Sequence, residues 1–544
     1  MLDYSRLKPW VWGFTWTILV LTAMSFRPLM PVDETRYIAV AWEMWLREDF
    51  LVPHLNGSTY SHKPPLLFWI INAGWGIFGV NDWWPRLIAP LFGLACLGLS
   101  ASTCRRLWPK TQAYLIVPIL LIGNFYWAIY TTLTMFDLIL TLWTLVGING
   151  MIDVSQNRWF RGWLLFSIAV GFGALSKGPV ILVYLMPVAL LCPYWAINRQ
   201  KQKWVVWYLG MIIGVLVGAG ITLAWALPAG FSGGEEYKNA IFWGQSAGRI
   251  VQSFAHRQPI WWYLAIIPIL LLPWMLWPSL LRKLWLNLRE INKKEKPNQG
   301  LRLMLIWSIA PIIILSAISG KQPHYLLPIF PPLAITGAVV IASLTKKDFF
   351  RGYWDMSLQG LFLFSLGVAV ACSPELGAWL NYSEWTANIN RWWALPLFGF
   401  ALLSLIKPPQ EGCNRLLAIS GLSSIFVISL FGFLKPIMDY GYDLQSVSNY
   451  IAKAQRQGYA VAYYGKYHGQ FHFLGKLKKP ITETGDGHIE NWLAKTPRAK
   501  IISIRIKIDE SSPKPDFVAK FRSKHIAIWD RSTVLAHPTA PQRK

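Results

Sequence analysis

The chain has 544 residues, of which 54% are hydrophobic and only 15% are charged, and it contains 32 tryptophans. A soluble protein of this size would carry more charge, so the composition predicts a polytopic membrane protein and excludes a soluble enzyme. The formal net charge of +25 would suit a nucleic-acid-binding protein. However, most basic residues lie in short loops between apolar segments, which is typical of membrane topology and excludes nucleic acid as the partner.

Apolar segments of roughly 17 to 25 residues, the length that crosses a bilayer as a helix, recur along most of the chain. They predict about thirteen membrane spans, near residues 10–29, 85–104, 113–130, 134–151, 162–176, 178–197, 204–228, 260–281, 303–319, 324–344, 357–373, 393–406 and 415–434. Basic clusters fall mainly in alternate loops, on the same side as Arg6 and Lys8. The positive-inside rule makes that side cytoplasmic. The N-terminus is therefore predicted inside, and the segment after the last span outside.

The chain divides into a membrane part, residues 1–434, and a polar C-terminal part, residues 435–544. Two stretches of the membrane part, residues 30–84 and 230–260, are predicted as outer loops. In the C-terminal part, residues 444–458 read as an amphipathic helix. Residues 459–465, 471–475, 499–506 and 525–529 read as short strands. The sequence thus predicts a small soluble α/β domain on the outer side.

The polar residues predicted on the outer side include both acids and bases. Asp33 follows the first span, and Asp137 opens the fourth. The bases in these outer segments are Lys63, Lys177, Arg249 and Lys321. Taken singly, each base also reads as an interface anchor, and Asp137 as a helix cap or ion-pair partner. Together they suit transfer from a lipid phosphate, because cations neutralise a phosphate leaving group and a carboxylate deprotonates the attacking hydroxyl.

Short motifs in these segments occur in a specific order. The first outer loop contains DETRY at residues 33–37, LVPHLNG at 51–57 and YSHKPPLL at 60–67. Further along are LSKGP at 175–179, HRQP at 256–259, WWY at 261–263 and PHYLLP at 323–328. In this combination the chain resembles the bacterial aminoarabinose transferases. These are similar to the protein O-mannosyltransferases and share the membrane GT-C glycosyltransferase fold.

The resemblance covers nearly the whole chain and implies a polytopic α-helical GT-C fold with a small extracytoplasmic α/β domain. It implies a multi-pass protein of the bacterial inner membrane, with catalytic loops and C-terminal domain in the periplasm. The implied reaction moves a sugar from polyprenyl (undecaprenyl) phosphate to a lipid A-type or other envelope glycolipid. A protein O-mannosyltransferase-like acceptor is an alternative. A lipid-linked sugar transporter is disfavoured, because the ionisable residues gather at span ends rather than at the bilayer midplane.

The resemblance also implies roles for individual residues. Asp33 matches the catalytic acidic residue of the first loop, and Asp137 a second acidic position. Lys63 and Arg249 match residues that hold the lipid phosphate, where Lys177 or Lys321 would assist and Tyr325 would contribute. The remaining cavity residues are expected to be Glu34, Arg36, Tyr37, Tyr60 and His256.

Two positions depart from the family pattern and put a metal cofactor in doubt. The family usually has Glu before Lys-Pro-Pro, where this chain has His62. Its second outer loop often reads Phe-Trp-x-Glu-His, where this chain has Gln245 and Ser246. That Glu and that His are candidate zinc ligands in aminoarabinose transferases, so the simplest expectation is that no metal is bound. A rival arrangement pairs His62 with His256 around zinc, since neutral imidazoles suit that ion.

Overall fold

The computed structural model describes residues 3–196, 203–244, 257–290, 298–344, 353–386, 388–406, 409, 412–506, 508 and 513–542. Nine helical segments within these ranges are long and apolar enough to cross a membrane. They are Pro9–Phe26, Trp83–Leu107, Asp137–Ser155, Trp159–Leu190, Trp204–Ser232, Gln299–Ala317, Pro323–Ala342, Trp354–Ala371 and Gly412–Arg456. Shorter apolar helices are Leu66–Phe78, Ala113–Ile122 and Arg391–Ile406. The predicted polytopic helical fold is therefore confirmed.

Glycine and proline divide these long segments. Trp159–Lys177 ends at Gly178, whose φ of +77° only glycine adopts at low cost, and Ile181–Leu190 follows. The span predicted at 260–281 is not continuous. It consists of the helix Trp262–Leu270, the 3₁₀ turn Trp274–Leu276 and the helix Pro278–Glu290. Proline interrupts a helix because it lacks the amide hydrogen, and this segment contains several prolines.

Small residues bring the central helices together. Gly150 on Asp137–Ser155 faces Gly162 on Trp159–Lys177, and a Cβ on Gly150 would lie 2.6 Å from the Gly162 carbonyl oxygen. Helices in a bilayer gain little from apolar burial against each other, so close backbone contact is a main source of their association. This contact fixes two helices whose ends carry Asp137 and Lys177.

Residues 30–84, predicted as a loop, are largely structured. They contain the helices Asp33–Arg47 and Leu66–Phe78, joined through the strands His54–Leu55 and Ser58–Thr59. The two strands pair in a hairpin whose turn is Asn56-Gly57, both with positive φ. Asn-Gly is the favoured pair for such a turn, because its twist matches that of the strands. The prediction of an outer loop did not include these elements, because the charges of the DETRY run obscured an amphipathic helix.

Shorter helices connect the main elements. They are Phe125–Tyr130, Cys192–Trp195, Gly234–Asn239, Ser373–Trp379 and Ser383–Thr386, with a π-helical turn at Ala240–Gly244 and 3₁₀ turns at Gly178–Val180, Pro323–Ile329 and Arg391–Trp393. The last long helix, Gly412–Gly441, runs past the end of its predicted apolar segment.

The C-terminal part forms a five-stranded sheet, as the predicted α/β class requires. In spatial order the strands are Thr482–Thr484, Ala460–Tyr464, Ala499–Arg505, Lys524–Asp530 and Phe517–Phe521. The first three are parallel and the last two pair antiparallel. The helices Gln445–Arg456, Ile489–Lys495 and Arg531–Ala536 accompany the sheet. The strand predicted at 471–475 is wrong: this segment is a series of turns.

Specific contacts attach this domain to the membrane part. The Asn56 side chain donates to the Ile481 carbonyl at 2.8 Å and accepts from the Ile481 amide at 2.7 Å. The rings of Trp75 and Phe473 stack with centroids 5.3 Å apart. The hairpin and the helix Leu66–Phe78 thus hold the C-terminal domain in a defined position over residues 30–84, which we call the first outer segment after their predicted topology.

Candidate active site

A cavity of about 430 Å³ opens between the first outer segment, the Gln322–Tyr325 segment and the C-terminal domain. Together with Met135, four parts of the chain that are far apart in sequence meet there. The side chains around it are Asp33, Arg36, Tyr37, Leu55, Thr59, Tyr60, Ser61, His62, Lys63, Met135, Gln322, His324, Tyr325, Lys466, Tyr467 and His468. Seven of the residues predicted from the sequence are among them.

Asp33 and Arg36 lie on the first turn of the helix Asp33–Arg47 and form an ion pair. The Asp33 carboxylate is 55% exposed, so it remains accessible to a substrate. The Arg36 guanidinium lies 5.5 Å from the centre of the Tyr37 ring. Burial and the nearby Asp33 carboxylate raise the pKa of Tyr37 well above its usual value, so this phenol stays protonated and can donate a hydrogen bond.

Lys63 and His62 enter the cavity from the run before the helix Leu66–Phe78. Two prolines follow Lys63 and keep this run out of the helix, which begins only at Leu66. The Lys63 ammonium lies 5.6 Å from the centre of the Phe136 ring. The rings of His62 and Tyr60 meet edge to face at 5.4 Å. This run thus contributes to the cavity both the Lys63 cation and the rings of Tyr60 and His62.

Asp137 and Lys177 form a buried ion pair behind Tyr325, which lines the cavity. Asp137 begins its helix and Lys177 ends the neighbouring one, so each charge also favours the dipole of its own helix. The Lys177 ammonium lies 4.5 Å from the centre of the Tyr325 ring, which faces the cavity. The Tyr184 hydroxyl donates to the Tyr325 carbonyl at 2.6 Å. Asp137, predicted as catalytic, and Lys177, predicted to bind the lipid phosphate, therefore lie next to the cavity lining, with Tyr325 between.

Glu34, predicted as a cavity residue, points away from the cavity. It is 1% exposed and forms an ion pair with Arg27. It also accepts hydrogen bonds from the amides of Thr134, at 2.6 Å, and Met30, at 2.8 Å. Burial would raise the pKa of Glu34, but the Arg27 charge and these hydrogen bonds outweigh it and lower that pKa. Glu34 is a structural anchor that joins the Asp33–Arg47 helix to the segment before Asp137.

Lys321 also lies away from the cavity. Its ammonium is buried and donates to the carbonyls of Gln258, at 2.9 Å, and Ile318, at 2.6 Å. The Ile318 carbonyl ends the helix Gln299–Ala317, and Gln258 precedes the helix Trp262–Leu270. The Lys321 charge is therefore directed at the backbone rather than at a phosphate. Two other predicted site residues, Arg249 and His256, lie outside the described residues.

His62 lies beside a cation in the cavity. Its described neighbours include the Tyr60 ring and the Lys63 ammonium group, whose positive charge repels a metal ion. Across the described ranges, no group of three or more His, Cys, Asp and Glu side chains is placed to hold a metal ion. The His62–His256 arrangement extends beyond those ranges.

The sequence prediction missed the contribution of the C-terminal domain. Lys466, Tyr467 and His468 line the cavity opposite the first outer segment. They follow the strand Ala460–Tyr464, which is parallel to both its neighbours. Ligands often bind beyond the carboxyl ends of parallel strands, so a polar run directly after this strand was a usable signal. His324, within the quoted PHYLLP motif, and Gln322, directly before it, also line the cavity, although the sequence analysis did not assign them to it.

Comparisons with known proteins agree with this architecture. A family model described as dolichyl-phosphate-mannose-protein mannosyltransferase matches residues 62–225. The undecaprenyl phosphate-alpha-4-amino-4-deoxy-L-arabinose arabinosyl transferase of Pseudomonas paraeruginosa is 28% identical over 446 residues, covering 74% of this chain and 77% of that protein. The enzyme of the same name from a Pseudomonas aeruginosa strain is 27% identical over 433 residues, covering 72% and 75%.

Solved structures show the same fold. ArnT from Cupriavidus metallidurans in the apo state superposes with a TM-score of 0.73 at 17% identity, covering 96% of this chain and 98% of that one. Its complex with undecaprenyl phosphate gives 0.71 at 18% identity, covering 96% and 97%. The resemblance predicted from the sequence motifs is thus confirmed: the chain is a membrane glycosyltransferase with the GT-C fold, similar to the aminoarabinose transferases.

Proposed function

We propose that this enzyme transfers a sugar from undecaprenyl phosphate to an envelope glycolipid of the lipid A type. The observation that carries this proposal is the cavity in which the accessible Asp33 carboxylate and the Lys63 cation face a common space. Its relatives are named for an undecaprenyl phosphate-linked aminosugar, which supports the same donor class here.

The proposed orientation places the cavity and the C-terminal domain on the periplasmic side of the inner membrane, with the N-terminus in the cytoplasm. The basic loops described above support it through the positive-inside rule. Arg106, Arg158 and Arg161 contact the buried Asp153 carboxylate at the end of the Asp137–Ser155 helix away from Asp137. The cationic end of this helix is therefore opposite to the cavity.

The proposed chemistry needs one base and one cation. Asp33 accepts the proton of the acceptor hydroxyl, and the freed oxygen attacks the anomeric carbon of the sugar. The bond between that carbon and the phosphate oxygen breaks, and undecaprenyl phosphate leaves with the bonding electron pair. Lys63 stabilises the negative charge on the leaving phosphate. Attack opposite the leaving group inverts the configuration at the anomeric carbon.

The Asp137–Lys177 pair has a positioning role in this proposal. Lys177 holds the face of the Tyr325 ring by a cation–π contact. Asp137 in turn neutralises Lys177 and fixes the position of its ammonium. Tyr325 is thereby held in a fixed position beside the reacting phosphate. This matters because catalysis is sensitive to small misplacements of the reacting groups.

The test is transfer by the purified, reconstituted protein. Wild type, Asp33→Asn and Lys63→Met are incubated with undecaprenyl phosphate-linked aminoarabinose and lipid A, and the products are identified by mass spectrometry. We expect lipid A to gain the mass of one sugar with wild type only. Asp82→Asn, an exposed carboxylate outside the cavity, is the matched control and should retain activity. Unchanged turnover by Asp33→Asn would refute the assignment of the base.

Protein acceptors are a second candidate, which the match to the protein mannosyltransferase model favours. The chemistry is the same, with a serine or threonine hydroxyl as nucleophile. Mass spectrometry of envelope glycolipids and of secreted proteins, from cells with and without the gene, separates the two. A sugar mass that disappears from proteins, with lipid A unchanged, would replace the glycolipid by a protein acceptor.

A further inference from the structure

The C-terminal domain contributes a fixed loop to the cavity, Lys466–His468. Gly465 and Gly469 flank it, with φ of +104° and +76°. Gly469 packs so closely on the first outer segment that a Cβ there would lie 2.4 Å from Leu55. A side chain at this position would be strained by the positive φ and would have to displace the Leu55 side chain. The loop is built into the contact between the two parts of the chain.

Tyr467 anchors this loop from within the domain. Its side chain is buried, and its hydroxyl accepts a hydrogen bond from the Phe471 amide at 3.0 Å. The same hydroxyl lies 2.8 Å from Nδ1 of His472, and the Tyr467 amide donates to the Glu483 carboxylate at 3.1 Å. With Tyr467 held, the residues on either side of it, Lys466 and His468, are held at the cavity.

The charge of the cavity favours an anionic ligand on the side formed by the C-terminal domain, in addition to the donor phosphate. Among the described residues that line it, Arg36, Lys63 and Lys466 are cationic, whereas Asp33 is the one carboxylate. Burial, followed by the charges of Arg36 and Lys466, lowers the pKa of His468. Its ring is therefore neutral at neutral pH and offers both a donor and an acceptor nitrogen.

The two substrates approach from different directions. The polyprenyl chain of the donor stays in the bilayer, so its phosphate must reach the cavity from the membrane side, where Lys63 lies beside Phe136. Lys466 and His468 belong to the soluble domain and face this side from outside the membrane. Asp33 lines the same cavity, at the start of the helix Asp33–Arg47. Lys466, which belongs to the soluble domain, is thus a different cation from Lys63, which suits the donor phosphate.

We infer that Lys466 and His468 bind the acceptor, with the Lys466 ammonium pairing with an anionic group of the acceptor and the His468 ring hydrogen-bonding beside it. This inference rests on the proposed function and adds to it the residues that select the acceptor. It requires that the acceptor carry a negative charge, such as a phosphate, close to the oxygen that receives the sugar. Both residues are positioning residues for the acceptor, whereas Asp33 performs the proton transfer.

The experiment measures donor and acceptor kinetics separately for the full-length reconstituted protein. The acceptor is lipid A with its phosphates, and the comparison acceptor is the same lipid after phosphatase treatment. For Lys466→Ala and His468→Ala we expect the KM for phosphorylated lipid A to rise about tenfold, the size expected for one charge-assisted hydrogen bond. The donor KM should change less than about twofold, since its phosphate is held elsewhere. Lys466→Arg should restore most of the affinity, and Lys478→Ala, an exposed lysine of the same domain away from the cavity, should match wild type.

Two results would overturn the inference. One is an equal rise in the donor KM, which would assign the loop to the donor phosphate. The other is unchanged acceptor KM in both alanine variants. Failure of the proposed function looks different, because wild type itself would then transfer no sugar to lipid A. In that case, direct binding of phosphorylated lipid A to wild type and to Lys466→Ala decides the inference, and equal or absent binding refutes it.

Discussion

Glu34→Gln should lower the stability of the protein, whereas Asp33→Asn should lower its activity, although these carboxylates are neighbours in the chain. Glu34 and Arg27 have side chains that are each 2% exposed, and they are paired with one another. Glu34→Gln would leave the Arg27 charge buried without its counter-ion. Breaking a buried pair in this way typically costs about 3–5 kcal/mol. We therefore expect a clear fall in the melting temperature of the detergent-solubilised protein.

Asp33→Asn should have the opposite profile. The Asp33 carboxylate is 55% exposed, and its pairing with Arg36 spans one helical turn. Such exposed pairs contribute about 1 kcal/mol or less, so the melting temperature should remain close to that of wild type. Loss of a general base typically lowers turnover by about 10²–10⁴-fold. Activity should therefore fall with little change in stability.

The assay measures the melting temperature by intrinsic tryptophan fluorescence and transfer by mass spectrometry on the same preparations. Glu48→Gln, an exposed carboxylate at the end of the same helix, is the control for Glu34→Gln. A Glu34→Gln protein with wild-type melting temperature and no activity would refute the assignment of Glu34 as a structural anchor. It would return Glu34 to the cavity, as the sequence predicted.

Three further predictions follow from the described contacts. Lys321→Met should lower the melting temperature and leave the donor KM unchanged, because its ammonium holds carbonyl groups; a raised donor KM would restore its predicted role in phosphate binding. Burial lowers the pKa of His472 to about 4, so the unfolded chain takes up a proton below about pH 6.5 that the folded one does not. Stability should fall between pH 6.5 and 4 by up to about 3 kcal/mol, and this pH dependence should shrink in His472→Gln, measured by thermal unfolding at each pH. Asn56→Ala removes both hydrogen bonds to Ile481 and should raise protease cleavage between the membrane part and the C-terminal domain. Asn81→Ala is the control. Equal cleavage of Asn56→Ala and wild type would show that this contact does not hold the domain.

The polytopic fold could be predicted because its signals are local. A segment that lies in the bilayer must be apolar over the length of a span, and basic residues concentrate in the loops between spans. The prolines and glycines between apolar segments mark where helices end. The strands Ala460–Tyr464, Ala499–Arg505 and Lys524–Asp530 were also predicted, since their apolar residues are continuous. The edge strands Thr482–Thr484 and Phe517–Phe521 were missed because they are short and mixed in polarity.

The candidate site could be predicted only in part, because side-chain direction is not a property of a motif. Asp33 and Glu34 are adjacent and chemically alike, yet helix geometry sends one to the cavity and the other to Arg27. Lys321 looked like a phosphate ligand for the same reason. Lys466 and His468 reach the cavity through contacts more than 400 residues apart in the chain, which periodicity cannot reveal.

The paired hydrogen bonds between Asn56 and Ile481 have a consequence for protein engineering. They join the hairpin of the first outer segment to the domain that carries Lys466 and His468. A chimera that exchanged only the C-terminal domain between related transferases would disturb this contact beside the cavity that Asp33 lines. Exchange of acceptor preference should therefore require residues 31–67 and the C-terminal domain to be moved as one unit.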